Sequence, residues 1–120
     1  MQRNNDVLKT ILANIEENAT RYSPAIINVK NFKVSYEELR YHCQLILDKG
    51  LSTGCELQDD MWGFGPLTWA GEDFLANSQD CIAWRKACRA AGDRSWSVFQ
   101  NILEEAVTLH AMEILEKADV

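Results

Sequence analysis

Apolar positions between residues 35 and 75 switch from helical to strand-like spacing and back, and the rest of the chain is organised around that stretch. Tyr36, Leu39, Cys43, Ile46 and Leu47 fall on one side of a helix expected over residues 36–49. Ser35 stands at its cap position with Glu38 three residues on, a capping box in which the two residues satisfy each other's orphan amides. Glu37, Arg40, Tyr41, Gln44 and Asp48 face the opposite way, to solvent or a partner. Gly50 marks the exit, where a left-handed residue closes a helix at little cost to glycine. Residues 51–57 then read as a strand and 64–67 as its return, with 59–63 between them as a turn or wing. Thr68 caps a further helix and puts Glu72 and Asp73 near its positive N-terminal dipole.

Upstream, Val7, Leu8, Ile11, Leu12 and Ile15 predict a helix over residues 5–18, capped by Asn5 or Asp6. Pro24 stops any helix, and the β-branched run Ala25-Ile26-Ile27-Asn28-Val29-Lys30 predicts a strand that pairs with the wing. So few residues separate this strand from Ser35 that any helix between them must be very short. Downstream, residues 69–91 read as helical, with Asn77-Ser78 the place for a break and Gly92 as the end. A last helix is expected over 97–116, capped by Ser97 with Gln100. Its apolar residues spread over more than one stripe, so it is either sandwiched within the monomer or shared in a homodimer through Ile102 and Leu109. The fold class is thus mainly α with a small antiparallel sheet. The order of elements is that of a winged helix-turn-helix with additional C-terminal helices.

Three segments carry a resemblance. Tyr41-His42-Cys43-Gln44-Leu45-Ile46-Leu47-Asp48-Lys49-Gly50-Leu51, then Leu67-Thr68-Trp69-Ala70-Gly71-Glu72-Asp73-Phe74-Leu75, then Gln79-Asp80-Cys81-Ile82-Ala83-Trp84 resemble an uncharacterised winged-helix family. That family is a domain of unknown function frequent in phages and prophages. The resemblance covers nearly the whole chain and implies one winged-helix domain over residues 1–120, with 1–75 as its core and 76–120 as a helical extension. It implies a phage-associated setting and brings no catalytic residues with it. The wing here is shorter than is common in the family, and it lacks the basic residue often found there.

Charge changes the picture more than composition does. The 120 residues carry a net charge of −6, and no Lys or Arg occurs between Lys49 and Arg85. That span holds Glu56, Asp59, Asp60, Glu72, Asp73 and Asp80. Winged helices that grip DNA use wing cations against phosphate, whose neutralisation dominates affinity; this wing would repel the backbone, unless its acids serve only solubility. Met61, Trp62 and Phe64 follow the acids, and Trp62 either folds back over the sheet or anchors a partner, a role tryptophan often fills. The one dense basic cluster is Arg85, Lys86, Arg89 and Arg94, read as a solvated helix face or as an anion contact away from the wing.

The constellations of an enzyme are missing from the sequence. Gly63-Phe64-Gly65 leads into a proline and not a helix N-terminus, so it is no phosphate cradle. His42 and His110 lack ligand spacing, and adjacent His42 and Cys43 lie on different helix faces, so no metal or other cofactor is expected. Four cysteines without a Cys-x-x-Cys pair read as reduced thiols. No apolar run approaches the roughly 20 residues of a membrane helix, and no signal-peptide core follows Met1, so a cytoplasmic address without membrane contact is expected. Two functions remain. One is a protein-interaction module that binds a partner through Glu56, Asp59, Asp60, Met61, Trp62 and Phe64, of which an inhibitor imitating nucleic acid is a special form. The other is a dimeric DNA-binding regulator that turns Arg40, Tyr41 and Gln44 toward bases, for which Arg and Gln are chemically apt.

Overall fold

Asn4, one residue ahead of the expected cap, opens the first helix: its side-chain oxygen accepts from the amides of Asp6 and Val7. In this computed structural model, which describes residues 1–118, helix α1 (Asn5–Asn18) buries Leu8, Ile11, Leu12 and Ile15. The described residues fall into two compact units, Met1–Asp73 and Phe74–Val120, the last two residues of the second lying outside them.

In the first unit α1 lies against a three-stranded antiparallel sheet of order β1-β3-β2. Its strands are β1 (Ala25–Asn28), β2 (Ser52–Glu56) and β3 (Met61–Leu67). The strand expected over 25–30 stops at Asn28, whose side chain accepts from the Lys30 amide and starts a single 3-10 turn, Val29–Asn31. Helix α2 (Tyr36–Asp48) follows, with the Glu38 amide donating to Ser35 Oγ at 3.1 Å, and it buries Leu39, His42, Cys43 and Ile46. Gly50 leaves it at φ +66°, as its position in the sequence predicts.

The hairpin differs from the expectation. β3 begins at Met61, so residues 61–63 are strand and the turn contracts toward Asp59 and Asp60. The reason lies in the alternation Trp62-Gly63-Phe64-Gly65: Trp62 stands opposite Ile27 and Phe64 opposite Ala25, so the two aromatics share the inner face with buried β1 side chains. Their rings stack 6.2 Å apart. Burying two such side chains outweighs any preference of the glycines for a turn.

After β3, Thr68 fixes the start of helix α3 (Trp69–Ser78), its Oγ1 accepting from the Gly71 amide at 3.2 Å. Gly71 is required by close approach: a Cβ there would lie 2.0 Å from the Leu51 carbonyl oxygen and 3.2 Å from Leu67 Cβ.

The helix expected over 69–91 is two helices. α3 ends at Ser78, and Asp80 caps α4 (Cys81–Ala91) by accepting from the Ala83 amide at 3.0 Å. A side chain free to cap costs less there than a helix run on through Asn77, Ser78 and Asp80, all of which compete for backbone hydrogen bonds. Helix α5 (Trp96–Ala118) starts one residue before the expected bound, because Ser95, not Ser97, precedes it and its carbonyl accepts from the Phe99 amide at 2.9 Å. In this second unit Phe74 meets Trp84, Trp96 and Phe99 at centroid distances of 6.1, 4.9 and 6.4 Å, an aromatic core on which α4 and α5 close.

Candidate interaction surface

The outward face of α2 is held to the end of β2. The Tyr36 hydroxyl donates to Glu56, and that hydrogen bond keeps the phenol above its ordinary pKa. Arg40 Nε lies 3.9 Å from Glu56 Oε2, so the guanidinium and the Tyr36 hydroxyl approach one carboxylate. One turn on, Gln44 Nε2 donates to Asp48 Oδ1 at 2.9 Å. Tyr41 sets its ring edge-on to His42, with centroids 5.1 Å apart. Between these residues runs an open groove of about 250 Å³ lined by Tyr41, Gln44, Leu45, Asp48 and Lys49. Gln44 is thus hydrogen-bonded to an acid of this chain and Arg40 lies near one, and both remain exposed.

At the tip of the β2–β3 hairpin Asp59 and Asp60 hold φ of 59° and 58°. Two consecutive left-handed residues are what a tight hairpin turn demands, and Asn-Gly fills that need at least cost. Aspartate tolerates the conformation better than most residues, yet each still gives up something of the order of 1 kcal/mol relative to glycine. Both carboxylates are exposed.

The aromatic tip itself is a correction. Trp62 is 2% exposed and Phe64 0%, and Met61 is half-buried, so the first two cannot present an anchor to a partner. Instead the exposed tryptophan is Trp69, at 83%. It occupies the first position of α3, two residues before Gly71, whose bare face packs on the carbonyl of Leu51; two residues is more than half a turn, so Trp69 points away from that contact. Glu72 and Asp73, one turn on, share its exposure. The Thr68-x-x-Gly71 spacing carried this information, because a capping threonine and a packed glycine together fix which way the intervening helix position faces.

His42, read from the sequence as no metal ligand, is 1% exposed and joins two helices. Its Nδ1–H donates to the Glu38 carbonyl at 2.7 Å, and its Nε2 accepts from the Asn4 amide at 2.8 Å, so the ring is the neutral tautomer protonated at Nδ1. Burial lowers its pKa, against smaller opposing effects from the Glu38 carbonyl and carboxylate. The unfolded chain takes up a proton near pH 6.5 and the folded chain only at lower pH. The neutral ring therefore contributes its full stability above about pH 6.5 and loses it as pH falls toward the depressed folded value. Melting temperature should drop between pH 7 and pH 5, and His42→Asn should flatten that drop while lowering stability at pH 7. An equal slope in both proteins would show that another group titrates. Asp80 acts in a lower window: its hydrogen bond to His110 depresses its pKa, so it contributes above the usual carboxylate range and is lost in stronger acid.

In the second unit His110 Nδ1 lies 2.7 Å from Asp80 Oδ2 and is half-buried, so Asp80 both caps α4 and holds α5. Ile102 is half-buried but Leu109 is 52% exposed, with Met112, Ile114 and Leu115 more exposed still. Arg85, Lys86, Arg89 and Arg94 are exposed. Among the described residues no group of His, Cys, Asp and Glu gathers as a metal site would, and no helix is long and apolar enough to cross a membrane. All four cysteines are free thiols; burial pushes that of Cys43 up to about 12.

A family model described as "Hypothetical protein (DUF2513)" matches residues 2–97. No curated protein and no solved structure matches the chain.

Proposed function

The chain belongs to the DUF2513 family of hypothetical proteins, and from that premise we propose a non-enzymatic winged-helix protein that binds a macromolecular partner, a protein rather than a nucleic acid, through an acidic surface. The winged-helix reading is supported by the order α1, β1, 3-10 turn, α2, β2, β3 and by the sheet order β1-β3-β2, with the 3-10 turn where a helix-turn-helix has its first helix. A phage or prophage setting accords with the resemblance noted from the sequence. The surface comprises Glu56, Asp59 and Asp60 at the hairpin tip; exposed Trp69, Glu72 and Asp73 lie beyond the other end of β3, on the first turn of α3.

One observation carries the preference for a protein partner: the side chains suited to reading bases lie beside acids of the same chain, Arg40 at 3.9 Å from Glu56 and Gln44 donating to Asp48. To meet DNA, Arg40 would have to leave a carboxylate that would itself then face phosphate. The two aspartates at positive φ support the same reading, since acids kept where Asn-Gly is cheaper suggest a use for their charge. Homodimerisation through α5 belongs to this proposal too. A second reading, a DNA-binding regulator, is favoured by the position of α2, which precedes β2 as a recognition helix does.

Electrophoretic mobility shifts with generic duplex DNA at low salt separate the two. The unmodified protein is expected to show no binding in the range of about 10⁻⁴–10⁻⁶ M typical of non-specific association. Glu56→Gln with Asp59→Asn and Asp60→Asn removes three charges without disturbing the left-handed turn, and should produce salt-sensitive binding by releasing Arg40. Tight, salt-sensitive binding by the unmodified protein would make α2 a DNA reader.

A further inference from the structure

The last turns of α5 are uncovered on every side. Every residue from 111 to 118 is exposed, and Leu109, Met112, Ile114 and Leu115 are each more than half exposed. Aliphatic side chains at that density on one helix mark a contact surface more often than a free one. Within the patch Glu105, Leu109, Met112 and Glu116 recur four, three and four residues apart, so they form one stripe with apolar residues at its centre and an acid at either end.

Charge selects what can cover it. α5 carries Glu104, Glu105, Glu113 and Glu116 against Lys117 alone, so pairing α5 with α5 of a second copy would set acid on acid. On α4 the outward stripe is Ile82, Arg85, Lys86 and Arg89, all exposed, and the helix contains no acid. Ile82 is 47% exposed and offers an apolar contact beside three cations. The acid-to-acid span on α5 is about 16 Å and the Ile82-to-Arg89 span on α4 about 10 Å, at 1.5 Å per residue, so arginine side chains can reach an acid while Leu109 and Met112 sit on Ile82.

We propose that two copies of this chain pair by laying the Glu105–Leu109–Met112–Glu116 stripe of α5 in each on the Ile82–Arg85–Lys86–Arg89 stripe of α4 in the other. The proposal rests on the homodimer reading and names its surfaces. The contact occurs twice and is self-complementary, as a two-fold dimer requires. Burial of the aliphatic side chains supplies affinity, and the ion pairs, weak singly at an exposed rim, fix which helices meet.

Sedimentation equilibrium of the full chain at micromolar concentration tests it, with circular dichroism to verify that each variant folds. The unmodified protein should be a dimer. Arg85→Glu with Arg89→Glu, and separately Glu105→Lys with Glu116→Lys, should each be monomeric, since each sets like charges against one another. An equimolar mixture of the two variants should dimerise again, because both contacts of the mixed dimer then join opposite charges. Leu109→Asp with Met112→Asp should be monomeric alone and in every mixture. A monomeric unmodified protein would overturn both the homodimer and this pairing. A dimer that survives either charge reversal, or variants whose mixture stays monomeric, would overturn the α4–α5 pairing and leave the homodimer standing.

Discussion

Trp62→Ala is expected to cost about 3–5 kcal/mol of stability, the range found when a large buried aromatic is cut back to a methyl group. Trp62 is 2% exposed, stacks on Phe64 and faces Ile27 across the ladder, so its removal opens a cavity between the sheet and the helices that cover it. The indole Nε1–H is buried and finds no hydrogen-bond partner among the described residues. An unsatisfied donor costs of the order of 1–3 kcal/mol, so Trp62→Phe, which deletes it and retains a ring, should cost distinctly less than alanine. Urea unfolding gives both values from the shift in midpoint. Trp69→Ala provides the contrast. At 83% exposure that ring supports little of the fold, and its loss should leave the midpoint within about 0.5 kcal/mol of the parent. It should also remove the iodide-quenchable, red-shifted part of the fluorescence, whereas Trp62→Ala should not. If the two substitutions had equal effects on stability, the assignment of one tryptophan to the core and the other to the surface would be wrong.

Gly71→Ala is also expected to destabilise, although it adds a single methyl group to a helix, where alanine is otherwise preferred by about 1 kcal/mol. The added Cβ would stand 2.0 Å from the Leu51 carbonyl oxygen, backbone that has no rotamer by which to yield. That carbonyl also accepts from the Thr68 amide at 3.0 Å, so any movement that relieves the clash weakens the junction of α2, β2 and α3. Forced overpacking costs about 1–3 kcal/mol, and the helix-propensity gain offsets only part of it. A net loss of up to about 2 kcal/mol in the same urea titration is expected; a gain would mean that α3 can slide away from Leu51 without cost.

Elements whose signals are local were legible in the sequence. Ser35 and Glu38 locate the start of α2, Gly50 its end, and the spacing of Leu8, Ile11, Leu12 and Ile15 gives α1 its buried face. The hairpin was misjudged because glycine and proline around Trp62 and Phe64 resemble a turn when read alone. Only the matching alternation in Ala25, Ile26 and Ile27, more than thirty residues earlier, reveals a central strand paired on both sides. The same limit hid the surface. Glu56, Asp59 and Asp60 could be named as exposed acids from the sequence, but that Glu56 takes up Arg40 and Tyr36 depends on a contact across 16 and 20 residues. His42 could not be distinguished from its neighbours, since its second partner is the backbone of Asn4, 38 residues away.

The junction at Thr68 has a consequence for the length of the β2–β3 hairpin. Thr68 donates from its amide to Leu51 and from its hydroxyl to Gly50, which closes the base of the hairpin independently of its tip. An excursion whose two ends are already tied can grow with little penalty: loop-closure entropy rises only with the logarithm of length, by about 0.6 kcal/mol for each doubling. The tip is thus a place in the first unit where evolution, or a protein engineer, can insert residues at little cost. A longer hairpin bearing cations would change what the surface attracts while leaving the helices and the root of the sheet as they are.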